Sequence, residues 1–371
     1  MENDAPISPT NPPTPLSPPR LPITPPRQGN RRWLIFFLVL AALAVIALAG
    51  GAKFLIKGLG GTSHAQANGR TYEEHVIEDN DAGDKIAVIE VQGLISSYAM
   101  DGGGVNMITA IKDQLKLAGK DDAVKAVLLK VDSPGGEVLA SDEIYRAIQQ
   151  FQQDTEKPVI ASMGSLAASG GYYVSAPCRW IVANELTITG SIGVIMQTYN
   201  YRGLMDKVGV QPMTFKSGKF KDMLSGSKLQ EDILPEEKQM VQSLIEETFG
   251  KFKQIVADGR EQAAKSNEGQ GKKLATDWRN YADGRILSGT QALELGFVDE
   301  LGDFEAAVKR AQQIAGISDA NLIHYQAPVD FLSMLRLFGK TDVHSVKVDL
   351  GLDLPRLQMG RLYFLSPLGM H

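Results

Sequence analysis

The sequence predicts an α/β fold in which a mainly parallel sheet is wrapped by helices. Three observations predict it. Short apolar runs at 85–95, 123–131, 158–163 and 180–183 have strand length and are bounded by Gly, Pro and polar residues. Stretches with helical spacing separate them, and strand–helix alternation is the pattern of parallel sheets. Glycine-rich turns close the second and third runs at their C-terminal ends, where α/β folds place ligand-binding loops.

Residues 1–32 precede this pattern and hold more than half of the 18 prolines. They read as a disordered, polyproline-leaning tail on the cytoplasmic side. Trp33 to Ala49 then runs 17 residues without a charge, and Gly50 to Ala52 extend it. A helix rises about 1.5 Å per residue, so this length reaches the lower limit for a bilayer core of about 30 Å. Residues 33–52 are therefore expected to be one N-terminal transmembrane helix, an uncleaved signal anchor. Arg20, Arg27, Arg31 and Arg32 precede it and favour a cytoplasmic N-terminus. Residues 53–84, rich in Gly, Asn, Asp and Glu, read as a flexible stalk.

The regular pattern fills 85–318. A strand at 85–95 precedes a helix at 107–117, where Ile108, Ile111 and Leu115 share a face. A strand at 123–131 leads to a helix at 138–151. The 158–163 strand ends at Gly164 and is followed by a small-residue helix beginning near Ser169. Short strands are expected at 180–183 and 211–215. Pro235 opens a long helix to 257, with Met240, Leu244, Ile245, Phe249 and Phe252 as its apolar positions. A last amphipathic helix spans 304–315. Residues 319–371 are irregular and have no assigned role.

Composition excludes several function classes. A net charge of -5 argues against nucleic acid as a partner. A single cysteine, Cys178, forbids an intrachain disulfide and a Cys/His metal cluster, and reads as a buried small hydrophobe. No cofactor is implied. The five histidines are His64, His75, His324, His344 and His371, all outside 85–318. A nucleophilic serine in the core therefore needs another base, and lysine is the usual substitute.

Three segments carry the candidate chemistry. Ala167-Ala168-Ser169-Gly170-Gly171-Tyr172-Tyr173 sets a serine among small residues after a strand. That suits a nucleophile beside free backbone N–H groups, although a small-residue helix capped by Ser169 has the same composition. Asp132-Ser133-Pro134-Gly135-Gly136 closes the previous strand, so Gly136 and the Ser169 turn would meet at one sheet edge. Lys216, Lys219 and Lys221 cluster further on, and spacing does not choose between them. A lysine acting as base must be neutral, its pKa drawn from about 10.4 toward about 7–8.

As a set these segments, with Thr189-Gly190-Ser191-Ile192-Gly193-Val194, Lys216-Ser217-Gly218, Lys221-Asp222 and Asp283-Gly284-Arg285, resemble the signal peptide peptidase A family of serine proteases. The resemblance covers about residues 85–315. It implies a ClpP/crotonase-like fold, Ser169 as nucleophile, Lys221 as base and Gly136 and Gly170 as the oxyanion hole. Ser191 is a second hydroxyl that could orient the lysine, with a plain strand-end turn as the equal alternative. The resemblance further implies peptide substrates, cleaved signal peptides among them. It also implies a bacterial inner-membrane enzyme with its catalytic domain outside the cytoplasm. One copy of the motif marks the short form, expected to assemble as a homo-oligomeric ring of eight. A crotonase-type acyl-CoA enzyme and an inactive membrane scaffold are the competing readings, and intact Ser169 and Lys221 count against both.

Overall fold

The computed structural model describes residues 64–68, 70–98, 105–327 and 362–366. The Pro-rich tail and the expected anchor at 33–52 lie outside these residues. Among the described residues no helix is long and apolar enough to cross a membrane.

Ten strands form one mixed sheet. In chain order they begin with β1 (His64–Ala67), β2 (Arg70–Glu78) and β3 (Lys85–Gln92). Helix α1 (Met107–Lys120) leads to β4 (Val124–Ser133), the short β5 (Gly135–Glu137) and helix α2 (Val138–Thr155). Then come β6 (Val159–Ala168), α3 (Gly170–Ser175), β7 (Trp180–Ala183) and β8 (Ile188–Gly190). Beyond them lie α4 (Arg202–Lys207), α5 (Pro235–Ser266), β9 (Ile286–Ser288), α6 (Gly289–Glu294), β10 (Glu300–Leu301), α7 (Phe304–Ala315) and β11 (Asn321–Gln326). Strand β5 stands outside the ten and pairs with a last strand, β12 (Tyr363–Leu365), in a separate two-stranded sheet, and β12 also bridges Ile195 on its other edge.

The central strands are parallel and run in the order β11-β3-β4-β6-β7-β10. They are buried on both faces, and alternate residues serve different cores. Ile86 and Val88 of β3, Ala126 and Leu128 of β4 and Ile160 of β6 face Ala307 and Ala311 of α7. Ala87, Ile89, Val91, Val127, Leu129 and Val131 face the larger core, which includes Ile111 of α1 and Ile144 of α2. This two-sided burial explains why the strands read as continuous apolar runs. Helix ends follow local chemistry: Asn106 caps α1 by accepting from Thr109 N at 2.9 Å, and Asp303 caps α7 through Ala306 N at 2.9 Å.

Strand β6 forks. Its first half, Ile160 to Met163, pairs with β7, and its second half, Leu166 to Ala168, pairs with β8. The fork carries the end of β6 out over the sheet edge, beside the end of β4.

Four expectations need correction. The sheet is mixed, because β2 runs antiparallel to β11 and β9 antiparallel to β8. Residues 64–78, read as stalk, contain β1 and β2; this edge hairpin buries Tyr72 and Ala67 but little else, so its apolar period is faint. The strand expected at 211–215 does not form: Pro212 has no N–H to give a ladder, and Met213 and Phe215 are 80% and 89% exposed. Helix α5 continues to Ser266, because Ile255, Val256, Gly259, Arg260 and Ala263 bury its C-terminal half.

Candidate active site

Ser169 sits where the forked end of β6 turns into α3. Its backbone is at φ 54° and ψ −115°, a region that strongly disfavours a residue with a Cβ. Holding it there costs about 1–3 kcal/mol, which the surroundings must supply. They do so on both sides. Ser169 N donates to Gly190 O at 2.8 Å, and Tyr173 N donates back to Ser169 O at 2.8 Å. Helix α3 is pinned in turn: Tyr172 Oη donates to Phe297 O at 2.8 Å and Tyr173 Oη to Asp142 Oδ1 at 2.8 Å. Burial first, then the Asp142 bond and its charge, push the Tyr173 phenol well above its ordinary value, so it stays a donor. Ser169 is 1% exposed, and its Oγ has no hydrogen-bond partner among the described residues.

The turn after β4 faces this serine. Ser133 Oγ donates to Gly93 O at 2.6 Å and accepts from Gly135 N at 3.1 Å, which braces the Pro134-Gly135-Gly136 turn. Gly135 is at φ 101°, open only to glycine at low cost. No side chain fits here. A methyl on Gly136 would lie 1.9 Å from Ile95 O, and one on Gly170 would lie 3.0 Å from Gly136 N. The two glycine segments therefore touch beside Ser169, with Gly136 N next to Gly170. Two adjacent backbone donors beside an unengaged hydroxyl can hold a developing oxyanion. Sequence reasoning placed Ser169, Gly136 and Gly170 together, and the fold brings them together.

Ser191 is 4% exposed, at φ 50°, one residue after the Gly190 carbonyl that holds Ser169 N. Its own N–H donates to Arg285 O at 2.7 Å. Arg285 grips Asp283 through two bonds of 2.8 Å and 2.6 Å, so this motif clamps the turn that carries Ser191. The Arg285 hydrogen bond draws the Asp283 carboxyl down to about 2.

Lys221 is not brought to Ser169. It is exposed in the turn-rich segment before α5 and makes no hydrogen bond or ion pair with the described residues. Its neighbours are engaged. Lys216 Nζ bonds Asp222 at 2.8 Å, Lys219 Nζ bonds Glu236 at 3.0 Å and Lys228 Nζ bonds Glu237 at 2.6 Å. Of the three lysines left open by spacing, Lys216 and Lys219 are held in ion pairs, and Lys221 is the one without a partner among the described residues.

Cys178 is buried, and desolvation pushes its thiol up, so it is inert packing. Among the described residues no group of His, Cys, Asp and Glu could hold a metal ion.

Two features escaped sequence reasoning. One is an aromatic nest beside Ser169, formed by Tyr173, Phe252 and Phe364 with ring centroids 4.7 to 4.9 Å apart. The other is β12 itself, which supplies Phe364. The apolar run Leu362-Tyr363-Phe364-Leu365 was its only signal in an otherwise irregular tail.

The chain is similar to known proteases. The model of peptidase family S49 matches residues 151–318, and the Clp protease model matches residues 100–183. The Synechocystis sp. protein "Putative protease slr0021" is 38% identical over 270 residues, 72% of this chain and 88% of that one. The Enterococcus faecium protein "Putative signal peptide peptidase SppA" is 35% identical over 260 residues, 68% of this chain and 70% of that one. Among solved structures, a mutant of the 1510-N membrane-bound stomatin-specific protease aligns at 17% identity with a TM-score of 0.39, covering 67% of this chain and 99% of that one.

Proposed function

The chain belongs to peptidase family S49 and is a serine protease with a ClpP-like α/β fold, and on that premise we propose how its residues divide the work. Ser169 is the nucleophile. Lys221, as the neutral amine, takes the Ser169 proton while Oγ attacks the substrate carbonyl carbon. The carbonyl oxygen becomes an oxyanion between the N–H groups of Gly136 and Gly170. Losing one such donor costs about 2.7–4 kcal/mol in known cases, so the pair supplies a large share of the barrier reduction. Lys221 then gives its proton to the leaving amine, the C–N bond breaks, and water hydrolyses the serine ester. Ser191 orients the lysine amine from the turn beside Ser169. The observation that carries this reading is the close approach of Gly136 and Gly170 at the strained Ser169 turn.

The dyad is completed by a second copy of the chain. Among the described residues Ser169 Oγ has no partner, and Lys221 is exposed and unpaired. The segment around the lysine exposes Leu204, Met213 and Phe215 at 64%, 80% and 89%, and α5 exposes Met240 and Leu244. Apolar groups gathered this way mark an interface. Serine on one face and lysine on another make a heterologous contact, which closes into a ring. Eight subunits is the expected number.

The apolar run at 33–52 anchors the enzyme in the bacterial inner membrane, and the preceding arginines put the catalytic domain outside the cytoplasm. Its substrates are unstructured membrane-associated polypeptides, cleaved signal peptides among them. A reporter active only outside the cytoplasm, fused after residue 371, should be active; a silent one contradicts this orientation.

Co-expression tests the shared site. Ser169→Ala and Lys221→Ala chains are each inactive, yet in a randomly mixed ring roughly a quarter of sites join a good serine to a good lysine. Peptidase activity should return. If two affinity tags confirm mixing and activity stays absent, each site is built within one chain.

A further inference from the structure

The turn that carries Gly136 cannot hold itself. Gly135 and Gly136 have no side chains, and glycine has more backbone freedom to lose than any other residue. Yet a donor stabilises an oxyanion most when it is fixed before the charge develops. A second segment, residues 93–97, follows β3 and runs beside the turn as a splint.

The splint is bonded along its length. Gly93 N donates to Asp132 O at 2.9 Å, and Ser133 Oγ donates to Gly93 O at 2.6 Å. Ile95 N donates to Gly135 O at 2.9 Å, and Glu137 N donates to Ile95 O at 2.8 Å. These two bonds make a parallel bridge centred on Gly136. The residues on either side of Gly136 face Ile95, so Gly136 turns its own N–H to the opposite edge. A methyl on Gly170 would stand 3.0 Å from that nitrogen.

The last tie is a side chain. Glu137 is the N-cap residue of α2, but its carboxylate makes no cap bond to that helix. It reaches the splint instead. Ser97 Oγ donates to Glu137 Oε2 at 2.7 Å, Ser97 N donates to the same oxygen at 3.3 Å, and Ser96 Oγ donates to Oε1 at 3.4 Å. Glu137 is 6% exposed, and a carboxylate buried to that extent needs such donors. The splint is anchored beyond this point: Asn106, the cap of α1, donates from Nδ2 to Ser97 O at 2.9 Å. Contacts therefore run from α1 through Ser97 and Glu137 to the residue next to Gly136.

We propose that Glu137 is a positioning residue for the peptidase reaction. Its carboxylate clasps Ser96 and Ser97, and the clasp holds the 93–97 splint against β5 so that the Gly136 N–H keeps its aim at the oxyanion. The inference rests on Gly136 and Gly170 forming the oxyanion hole. Glu137 touches no reacting atom and moves no proton; the reaction uses its geometry, not its charge. Glutamine keeps that geometry, because its Oε1 accepts from Ser97 and its amide donates to the Ser96 hydroxyl, which can also accept. Alanine loses it.

Turnover of a fluorogenic peptide by Glu137→Ala, Glu137→Gln and Ser97→Ala tests this, with thermal melting alongside. Glu137→Ala should lower kcat about 10- to 100-fold, the scale of a group misplaced by up to an ångström. KM should stay near that of the parent, because the hole acts on the transition state. Glu137→Gln should recover most of the loss. Ser97→Ala should lower kcat by a smaller factor, since the Ser97 N–H remains, and it decides the question if Glu137→Ala does not fold. The double variant Glu137→Ala/Ser97→Ala should be no slower than Glu137→Ala, because both changes break one clasp. A purely structural role would lower the melting temperature and leave kcat alone, and that result overturns the inference. So does a Glu137→Gln protein as slow as Glu137→Ala, which would assign the effect to charge. Gly170→Ala separates the clasp from the hole. If Gly170→Ala loses kcat while the Glu137 and Ser97 variants keep it, the clasp alone falls. If all of them keep it, the oxyanion hole is misassigned and the inference falls with it.

Discussion

Replacing Gly170 by alanine isolates the oxyanion hole from the nucleophile. The added methyl would lie 2.7 Å from Ser141 Oγ, 3.0 Å from Gly135 Cα and 3.0 Å from Gly136 N. The first contact can relax, because Ser141 Oγ holds only the Glu137 carbonyl, at 3.0 Å. The other two are backbone, and relief requires the 135–136 turn to retreat by a few tenths of an ångström. That retreat moves the Gly136 N–H away from its neighbour. Overpacking of this kind costs about 1–3 kcal/mol, a melting shift of roughly 2–12 °C at about 2–4 °C per kcal/mol for a domain of this size. The catalytic loss is larger: a displaced oxyanion donor costs about 2.7–4 kcal/mol, or about 10²–10³ in kcat. The assay is turnover of a fluorogenic peptide, with thermal melting alongside. Expected are a folded protein, a KM near that of the parent and a kcat lower by about two orders of magnitude. Adding Ser141→Ala should rescue little, because the backbone contacts remain. A kcat within roughly a factor of ten of the parent would refute the reasoning that these N–H groups form the hole.

Three further outcomes follow from the same structure. Lys221→Ala should lose about 10²–10⁴-fold in turnover while melting normally, whereas Lys216→Ala and Lys219→Ala, which break surface ion pairs, should stay close to the parent; equal losses at all three would refute the assignment. Asp283 is held down to about 2 by Arg285 against about 3.9 in an unfolded chain, so its contribution is present above about pH 4 and lost as pH falls toward 2. Asp283→Asn should therefore melt below the parent at neutral pH, with the gap closing over that window and shrinking in salt because the pair is half exposed; a gap independent of pH would contradict the linkage. Arg260 and Asp299 form a buried ion pair, 1% and 2% exposed, that ties α5 to the segment before β10, and Asp299→Ala should cost about 3–5 kcal/mol by leaving Arg260 uncompensated; denaturant titration showing less than about 1 kcal/mol would contradict this.

The parallel core was legible because its strands are buried on both faces and so read as unbroken apolar runs. Trp180–Ala183 and Phe304–Ala315 fall where periodicity placed them. The edges were not legible, for a physical reason. Strand β2 buries little beyond Tyr72, so its sequence has no strong alternation, and its partner β11 follows it only after more than two hundred residues. At the site, Ser169, Gly136 and Gly170 were readable because close backbone approach demands small residues, and those leave a mark in sequence. The sequence already left room for Lys221 to lie away from Ser169, because two strand–helix segments separate the two, and the structure leaves Lys221 exposed. Phe364 was hidden, because a strand held by three residues of β5 and one bridge at Ile195 has too little sheet to impose a pattern.

Labelling by a fluorophosphonate probe, followed by peptide mapping, tests the central claim most directly. One adduct is predicted, on the peptide containing Ser169, absent from Ser169→Ala and suppressed in Gly170→Ala. An adduct on any other serine, or peptide hydrolysis that persists in Ser169→Ala, would contradict the account.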